Sequence, residues 1–200
     1  MGPRTTIVYL HGFRSSPASI KATRLRDYVT TLPKASRPQL HIPELTHCPA
    51  VAVAEVAAWA ERHAGADSLT FIGSSLGGYY ATHLAERFGA RAVMINPAVR
   101  PYDDLQPWLG VQTNLYSGAE FEVTPAHFDE LLALKVHRIT RPERYFLLVE
   151  TGDEVLDYRE AVAFYGGACQ YVCGGGDHAY TDFVPQLPAI LRFAGVPGVR

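Results

Sequence analysis

Residues Leu69 to Gly78 read LTFIGSSLGG and run directly into Tyr79 to Phe88, YYATHLAERF. Leu69 to Ile72 form a short apolar run of the kind that builds a buried strand, and the residues after Gly77 carry apolar side chains at helical spacing. Gly73, Ser74, Ser75, Leu76 and Gly77 stand between them. Glycine and serine between two elements mark an ordinary loop in most chains. In so sharp a strand-to-helix turn they have a further meaning. A side chain at Gly73 or Gly77 would collide, and Gly73-x-Ser75-x-Gly77 becomes a nucleophile elbow that lifts the Ser75 hydroxyl above the sheet. Its neighbour Ser74 is expected to point into the turn and satisfy backbone groups.

Working outward, the same alternation covers the chain. Thr6 to Leu10 (TIVYL) reads as a buried strand. Pro17 to Leu32 reads as an amphipathic helix with Ile20, Leu25, Tyr28, Val29 and Leu32 on one side. Leu40 to Leu45 (LHIPEL) is a weaker strand because of Pro43, and Val51 to His63 is an alanine-rich helix. Leu76 to Phe88 is a helix stopped by Gly89. Arg91 to Asn96, Tyr145 to Glu150 and Cys169 to Cys173 are further apolar runs, with helices expected over about Tyr158 to Phe164 and Thr181 to Phe193. Strand and helix in alternation build a mostly parallel sheet, here of about six strands, with helices on both faces. The fold class is α/β, and ligand chemistry is expected at the carboxyl ends of the strands.

The 200 residues, 48% of them hydrophobic, suffice for one domain with a proper core. One stretch breaks the rhythm. From about Ala98 to Glu143 no convincing strand appears, yet Trp108, Leu109, Tyr116, Phe121, Phe128, Leu131 and Leu132 argue against disorder. The expected role is a lid-like cap over an apolar cleft, with Trp108 as a substrate-binding candidate; the alternative is a peripheral helix pair that completes the core.

Basic and acidic residues, 18 against 20, are mixed along the chain. That excludes a nucleic-acid track and a polybasic membrane patch, and points to a small-molecule ligand. Cys48, Cys169 and Cys173 are odd in number and lack C-x-x-C spacing, so free buried thiols in a reducing cytoplasm are expected. No run reaches membrane-spanning length, and a strand beginning within six residues leaves no room for a signal peptide. Met1-Gly2 with Thr6 matches a bare acylation pattern, but Pro3 and the early strand make chance the better account.

A serine hydroxyl needs a base, a group to orient that base, and donors for an oxyanion. The base is sought at another strand end. Among eight histidines, His178 follows CQYVC through GGGD and precedes a helix. That Gly-rich loop lacks the lysine and hydroxyl of a P-loop. His11, also at a strand end, is the second candidate base, although packing beneath its loop is its more natural role. His41, His63, His83, His127 and His137 read as surface or core residues. His47 beside Cys48 supplies two potential ligands with no third in reach, so no metal site is assigned. For the acid, Asp153, Asp157 and Glu154 follow YFLLVE. Asp157 has a structural role as a helix N-cap with Glu160 in a capping box, which favours Asp153. The oxyanion donors are expected to be the backbone N–H of Leu76, after the serine, and that of Phe13, beside Gly12 in HGFRSSP, where Gly12 lets the chain approach substrate closely. The order Ser75, Asp153, His178 is that of α/β-hydrolases.

With YLHGFRSSPASIKA, IGSSLGGYYATHLAERF, NPAVRPYDDL, TGDEVLDYREAVAFY and GGGDHAYTDF in that order, the chain resembles the YqiA-type small bacterial esterases of the α/β-hydrolase superfamily from about Ile7 to Phe193. The resemblance implies a compact α/β-hydrolase without the usual first antiparallel strands, acting on short-chain acyl esters and acyl thioesters. It places the nucleophile on Ser75, the base on His178, the acid on Asp153 and the first-loop donor on Phe13, with no cofactor. Arg100 is a substrate-side cation by position only. A non-catalytic ligand-binding protein, or a hydrolase of peptide or lactone bonds, are the other readings the residues allow.

Overall fold

The computed structural model describes residues 5–65 and 68–199; Met1, Gly2 and Pro3, which bear on the acylation pattern, lie outside the described residues. In chain order the elements are β1 (Thr6–Leu10), α1 (Ile20–Thr31), β2 (Gln39–His41), α2 (Pro49–His63), β3 (Leu69–Ser74), α3 (Leu76–Phe88), β4 (Arg91–Ile95), α4 (Pro101–Asp104), β5 (Gly110–Thr113), β6 (Glu120–Val123), α5 (Pro125–Ala133), β7 (Tyr145–Glu150), α6 (Tyr158–Phe164), β8 (Cys169–Cys173) and α7 (Phe183–Phe193). Six of the strands form one sheet in the order β2-β1-β3-β4-β7-β8, every pairing parallel.

Both faces of the sheet are covered because successive side chains of each strand point to opposite sides. Val8 and Leu10 join the core beneath α2, α3 and α6. Ile7 and Tyr9 join the one beneath α1 and α7. Each fully buried Leu or Ile in these layers contributes roughly 1.5–3 kcal/mol. A surface ion pair such as Arg87–Glu61, about half exposed on both sides, belongs to a class worth at most about 1 kcal/mol. The packed layers therefore hold the sheet edge that carries the site.

The chain steps from β1 outward to β2 and returns to β3 on the other side of β1. The strand order thus reverses between β1 and β3, and their carboxyl ends border the crevice where open α/β sheets bind ligands. The pairing of Leu10 with Gly73 sets the HGF loop beside the elbow.

Several expectations need correction. The stretch from 98 to 143 contains two strands: β5 and β6 form a separate antiparallel pair, Gly110 opposite Val123 and Thr113 opposite Glu120. Both are four residues long and largely exposed, so the apolar pattern that marks a strand is faint. α5 buries Phe128 and Leu131 in the main core, whereas Trp108, Leu109, Tyr116 and Leu132 stay exposed. Ile20 is 70% exposed: α1 turns Ala22, Leu25 and Val29 inward, and Ile20 only opens its first turn. The cysteines are free but none is buried, because β8 is an edge strand and Cys48 caps the start of α2.

Candidate active site

The elbow is as tight as its glycines require. Ser75 sits at φ 55° and ψ −123°, a left-handed conformation that costs a non-glycine residue of order 1–3 kcal/mol and persists only where surroundings enforce it. Here the Ser75 amide donates to Ile95 O at 3.1 Å, and the Ser75 carbonyl accepts from Gly78 N and Ala98 N at 2.9 and 3.1 Å. A Cβ on Gly73 would run into the Gly77 carbonyl, and one on Gly77 into the carbonyls of Leu10 and His11.

Ser75 Oγ lies 3.1 Å from His178 Nε2. On the other side of the ring, Nδ1 is 2.9 and 2.8 Å from the two carboxylate oxygens of Asp153. The hydrogen-bond network assigns the Nδ1–H tautomer, leaving the unprotonated Nε2 facing the Ser75 hydroxyl. The Asp153 side chain is 2% exposed. Burial alone would raise its pKa, but the bonds from His178 and from the Leu156 and Val155 amides outweigh that and hold it below the usual carboxylate value.

The reason given for preferring Asp153 does not survive. Its Oδ1 also accepts from Val155 N and Leu156 N, both at 2.9 Å, so it too serves the local backbone. What separates the two aspartates is direction: Asp153 meets the imidazole, whereas Asp157 caps α6 by accepting from Arg159 N. The expected capping box is incomplete, because Glu160 turns to an ion pair with Arg100. That pair also engages Arg100, the substrate-side cation by position. Glu154, the third acid candidate, accepts from His178 N at 3.0 Å.

Sequence reasoning missed the residues that aim the His178 loop. Glu150, 1% exposed, accepts from Asp177 N at 2.8 Å, Thr181 N at 3.1 Å and Asp182 N at 3.0 Å. Asn96 accepts from Glu150 N at 3.0 Å and donates to the carbonyls of Asp177 and His178 at 2.9 and 3.3 Å. Gly176, at φ 73°, passes so close to Glu150 that a Cβ there would collide with its carboxylate. The available signal was a polar residue closing each apolar run, YFLLVE and RAVMIN. Glu150→Ala would leave three backbone donors without their acceptor, each worth about 1 kcal/mol or more when buried. A loss of roughly 3 kcal/mol in urea unfolding is expected, and an unchanged midpoint would show that the loop holds itself.

Phe13 and Leu76, the residues whose amides are expected to bind an oxyanion, line the same cleft as Ser75. Neither Phe13 N–H nor Leu76 N–H has a hydrogen-bond partner among the described residues. A Cβ on Gly12 would stand 3.2 Å from Ser75 Cβ, so glycine there keeps the approach open. His11 is 3% exposed; its Nδ1 faces Gly12 O at 3.1 Å and its Nε2 accepts from Leu45 N at 3.3 Å. It lies beneath the loop, as its more natural role suggests, and burial lowers its pKa. Ser74 is 5% exposed, and its hydroxyl bonds the Tyr9 phenol.

Three clefts converge on Phe13. One of 280 Å³ runs from Ser75 and His178 past Leu105, Trp108, Leu115 and Leu156. Trp108 packs edge-on against Phe13, ring centroids 6.0 Å apart, with the Arg14 guanidinium over its face at 5.2 Å. Asp104 is the one carboxylate on this apolar wall, and burial first, then Glu160, pushes its pKa up to about 6. A second cleft, of 370 Å³, holds Lys21, whose Nζ donates to Ala179 O at 2.6 Å and whose pKa burial lowers to about 8. The third, of 260 Å³, passes Leu76, Tyr80, Phe121 and His47.

Among known proteins, a family model described as "Uncharacterised protein family (UPF0227)" matches residues 6–195. Solved structures share the fold at low identity. Alpha/beta hydrolase domain-containing protein 10 from mouse is 17% identical, with a TM-score of 0.71 over 98% of this chain and 91% of that one. Est1E from Butyrivibrio proteoclasticus is 14% identical, with a TM-score of 0.67 over 96% and 88%. A Paleococcus ferrophilus monoacylglycerol lipase is 14% identical, with a TM-score of 0.66 over 96% and 95%.

Proposed function

The chain belongs to the UPF0227 family, of YqiA type within the α/β-hydrolase superfamily, and from that premise we propose that it is a serine hydrolase of carboxylic esters, with short- to medium-chain acyl groups and thioesters in its range. The observation that carries the reading is the unbroken line Asp153–His178–Ser75, with contacts of 2.8 and 3.1 Å.

In this reading His178 Nε2 takes the Ser75 proton as Oγ attacks the acyl carbon. The Phe13 and Leu76 amides bind the resulting oxyanion; one such donor is worth about 3 kcal/mol of barrier. The imidazolium then protonates the departing alcohol, leaving the acyl group on Ser75. Water, deprotonated by the same imidazole, attacks the acyl-enzyme and releases the acid. Asp153 holds the tautomer and stabilises the imidazolium throughout. No step calls on a metal or organic cofactor.

The apolar cleft beside Trp108 and Leu105 supports acyl binding, with Trp108 and Gly12 bordering substrate and the 98–143 stretch serving as the cap over it. No helix among the described residues is long and apolar enough to cross a membrane, and the free cysteines fit a cytoplasmic setting.

A fluorophosphonate label followed by peptide mass mapping tests the reading without knowledge of the substrate. Label on the Ser75 peptide, together with turnover of p-nitrophenyl acetate through decanoate, is the expected outcome. Tight ligand binding with no label on Ser75 would favour the binding-protein alternative. Label without ester turnover would favour peptide or lactone cleavage.

A further inference from the structure

The loop entering α2 and the first turn of α5 meet at the rim of the 260 Å³ cleft. There His47, Cys48 and His127 each offer one ligand atom, and these atoms lie within 4.8 Å of one another. From this cluster we propose a zinc-type divalent metal site made by His47, Cys48 and His127, with water in the fourth position. The sequence gives His47 and Cys48 as neighbours with no third ligand; the fold brings His127 from a distant position to join them.

Donor chemistry comes first. Two imidazoles and a thiolate suit zinc and its late transition-metal neighbours, whereas magnesium and calcium take oxygen. Tetrahedral bonds of about 2.0–2.3 Å set ligand atoms roughly 3.3–3.8 Å apart. The cluster must therefore contract by about 1 Å, which falls to His47, the exposed member.

Availability follows. The His47 ring nitrogens and the Cys48 sulfur have no hydrogen-bond partner among the described residues. His127 Nδ1 lies 2.9 Å from both the amide and the hydroxyl of Thr124. Thr124 N–H donates to His127 Nδ1, which leaves the ring proton on Nε2; for Nε2 to ligate, that proton moves to Nδ1, which then donates to Thr124 Oγ1 and gives up the bond from Thr124 N. That hydroxyl is then the outer partner a ligating histidine normally has. When the sulfur–metal bond forms, the Cys48 S–H bond breaks and its proton leaves to solvent, so Cys–SH and M²⁺ give Cys–S–M⁺ and H⁺.

The scaffold is already pinned. Ala50 N in α2 donates to Glu130 Oε2 in α5 at 3.0 Å. Phe121 of β6 stacks on the His47 ring at 5.2 Å. His47 and Cys48 belong to the body and His127 to the stretch from 98 to 143, so the metal would fasten that stretch to the body at the cleft rim.

The test uses the full metal-free chain titrated with Co²⁺ as an optical probe and then with Zn²⁺ by calorimetry. One equivalent of Co²⁺ with a thiolate charge-transfer band, displaced by Zn²⁺, is expected. Cys48→Ser is expected to lose the band, and both it and His47→Ala to weaken Zn²⁺ binding at least tenfold; neither touches the Thr124 cap. Cys169→Ser and Cys173→Ser are expected to keep the band. No band, a band that follows Cys169 or Cys173, or Zn²⁺ affinity unchanged in Cys48→Ser and His47→Ala would each overturn the site. None of these readouts depends on ester hydrolysis.

Discussion

Ser75→Ala is expected to lower kcat/KM for a p-nitrophenyl ester by roughly 10⁴-fold or more while KM changes little. Removing Oγ deletes the attacking atom and leaves the cleft and both amide donors in place, so substrate still binds and the carbonyl is still polarised. The remaining rate would be that of water attack beside His178. Folding is expected to survive. Alanine has no hydroxyl to lose from a capping role, because Ser75 makes no side-chain cap bond to α3, and its backbone bonds to Ile95, Gly78 and Ala98 are unchanged. The measurement is steady-state turnover of purified variant and wild type, with circular dichroism as the folding control. Undiminished turnover would falsify the serine mechanism.

Asp153→Asn should cost about as much, near 10⁴ in kcat, through a different route. The amide nitrogen of Asn in place of a carboxylate oxygen faces Nδ1 with a donor. The ring then takes the Nε2–H tautomer, which cannot accept the Ser75 proton. Asp157→Asn, by contrast, keeps an oxygen for Arg159 N and is expected to stay within a few-fold of wild type, losing only a few tenths of a kcal/mol of helix capping. Equal losses in the two variants would leave direction toward His178 without consequence and the assignment of the acid wrong. The same carboxylate shapes acid stability. Its folded pKa lies below the unfolded value of about 3.9, so its stabilisation is complete above that value and is lost as pH falls through the folded one. The Asp153→Asn protein is therefore expected to show a shallower acid unfolding limb than wild type.

Most of the sheet was legible because buried parallel strands write themselves as unbroken apolar runs. TIVYL, LTFIG, RAVMI and YFLLVE each became a strand of the sheet. So was the strand-to-helix turn, where a Cβ on Gly73 would collide with Gly77 only a few residues on, although the collision that demands Gly77 is with Leu10 and His11 in the neighbouring strand. The β5–β6 pair escaped notice because exposed four-residue strands carry no apolar signature. Asp153 does face the imidazole of His178, but freedom from capping duty is not what distinguishes it, since Asp153 also accepts two local amides. Glu150 and Asn96 showed only as polar ends of apolar runs, and nothing local says that one carboxylate gathers three amides of a loop 27 to 32 residues away.

By itself the sequence determined the alternation of strands and helices and the tight turn at Ser75, because these depend on hydrophobic period and on glycines at a strand-to-helix junction. Tertiary structure alone decided which aspartate meets the imidazole, which groups aim that imidazole, and that His127 comes to stand beside His47 and Cys48. Those are contacts between segments far apart along the chain, and their distances are set by how the sheet orders its strands and how the helices pack on it.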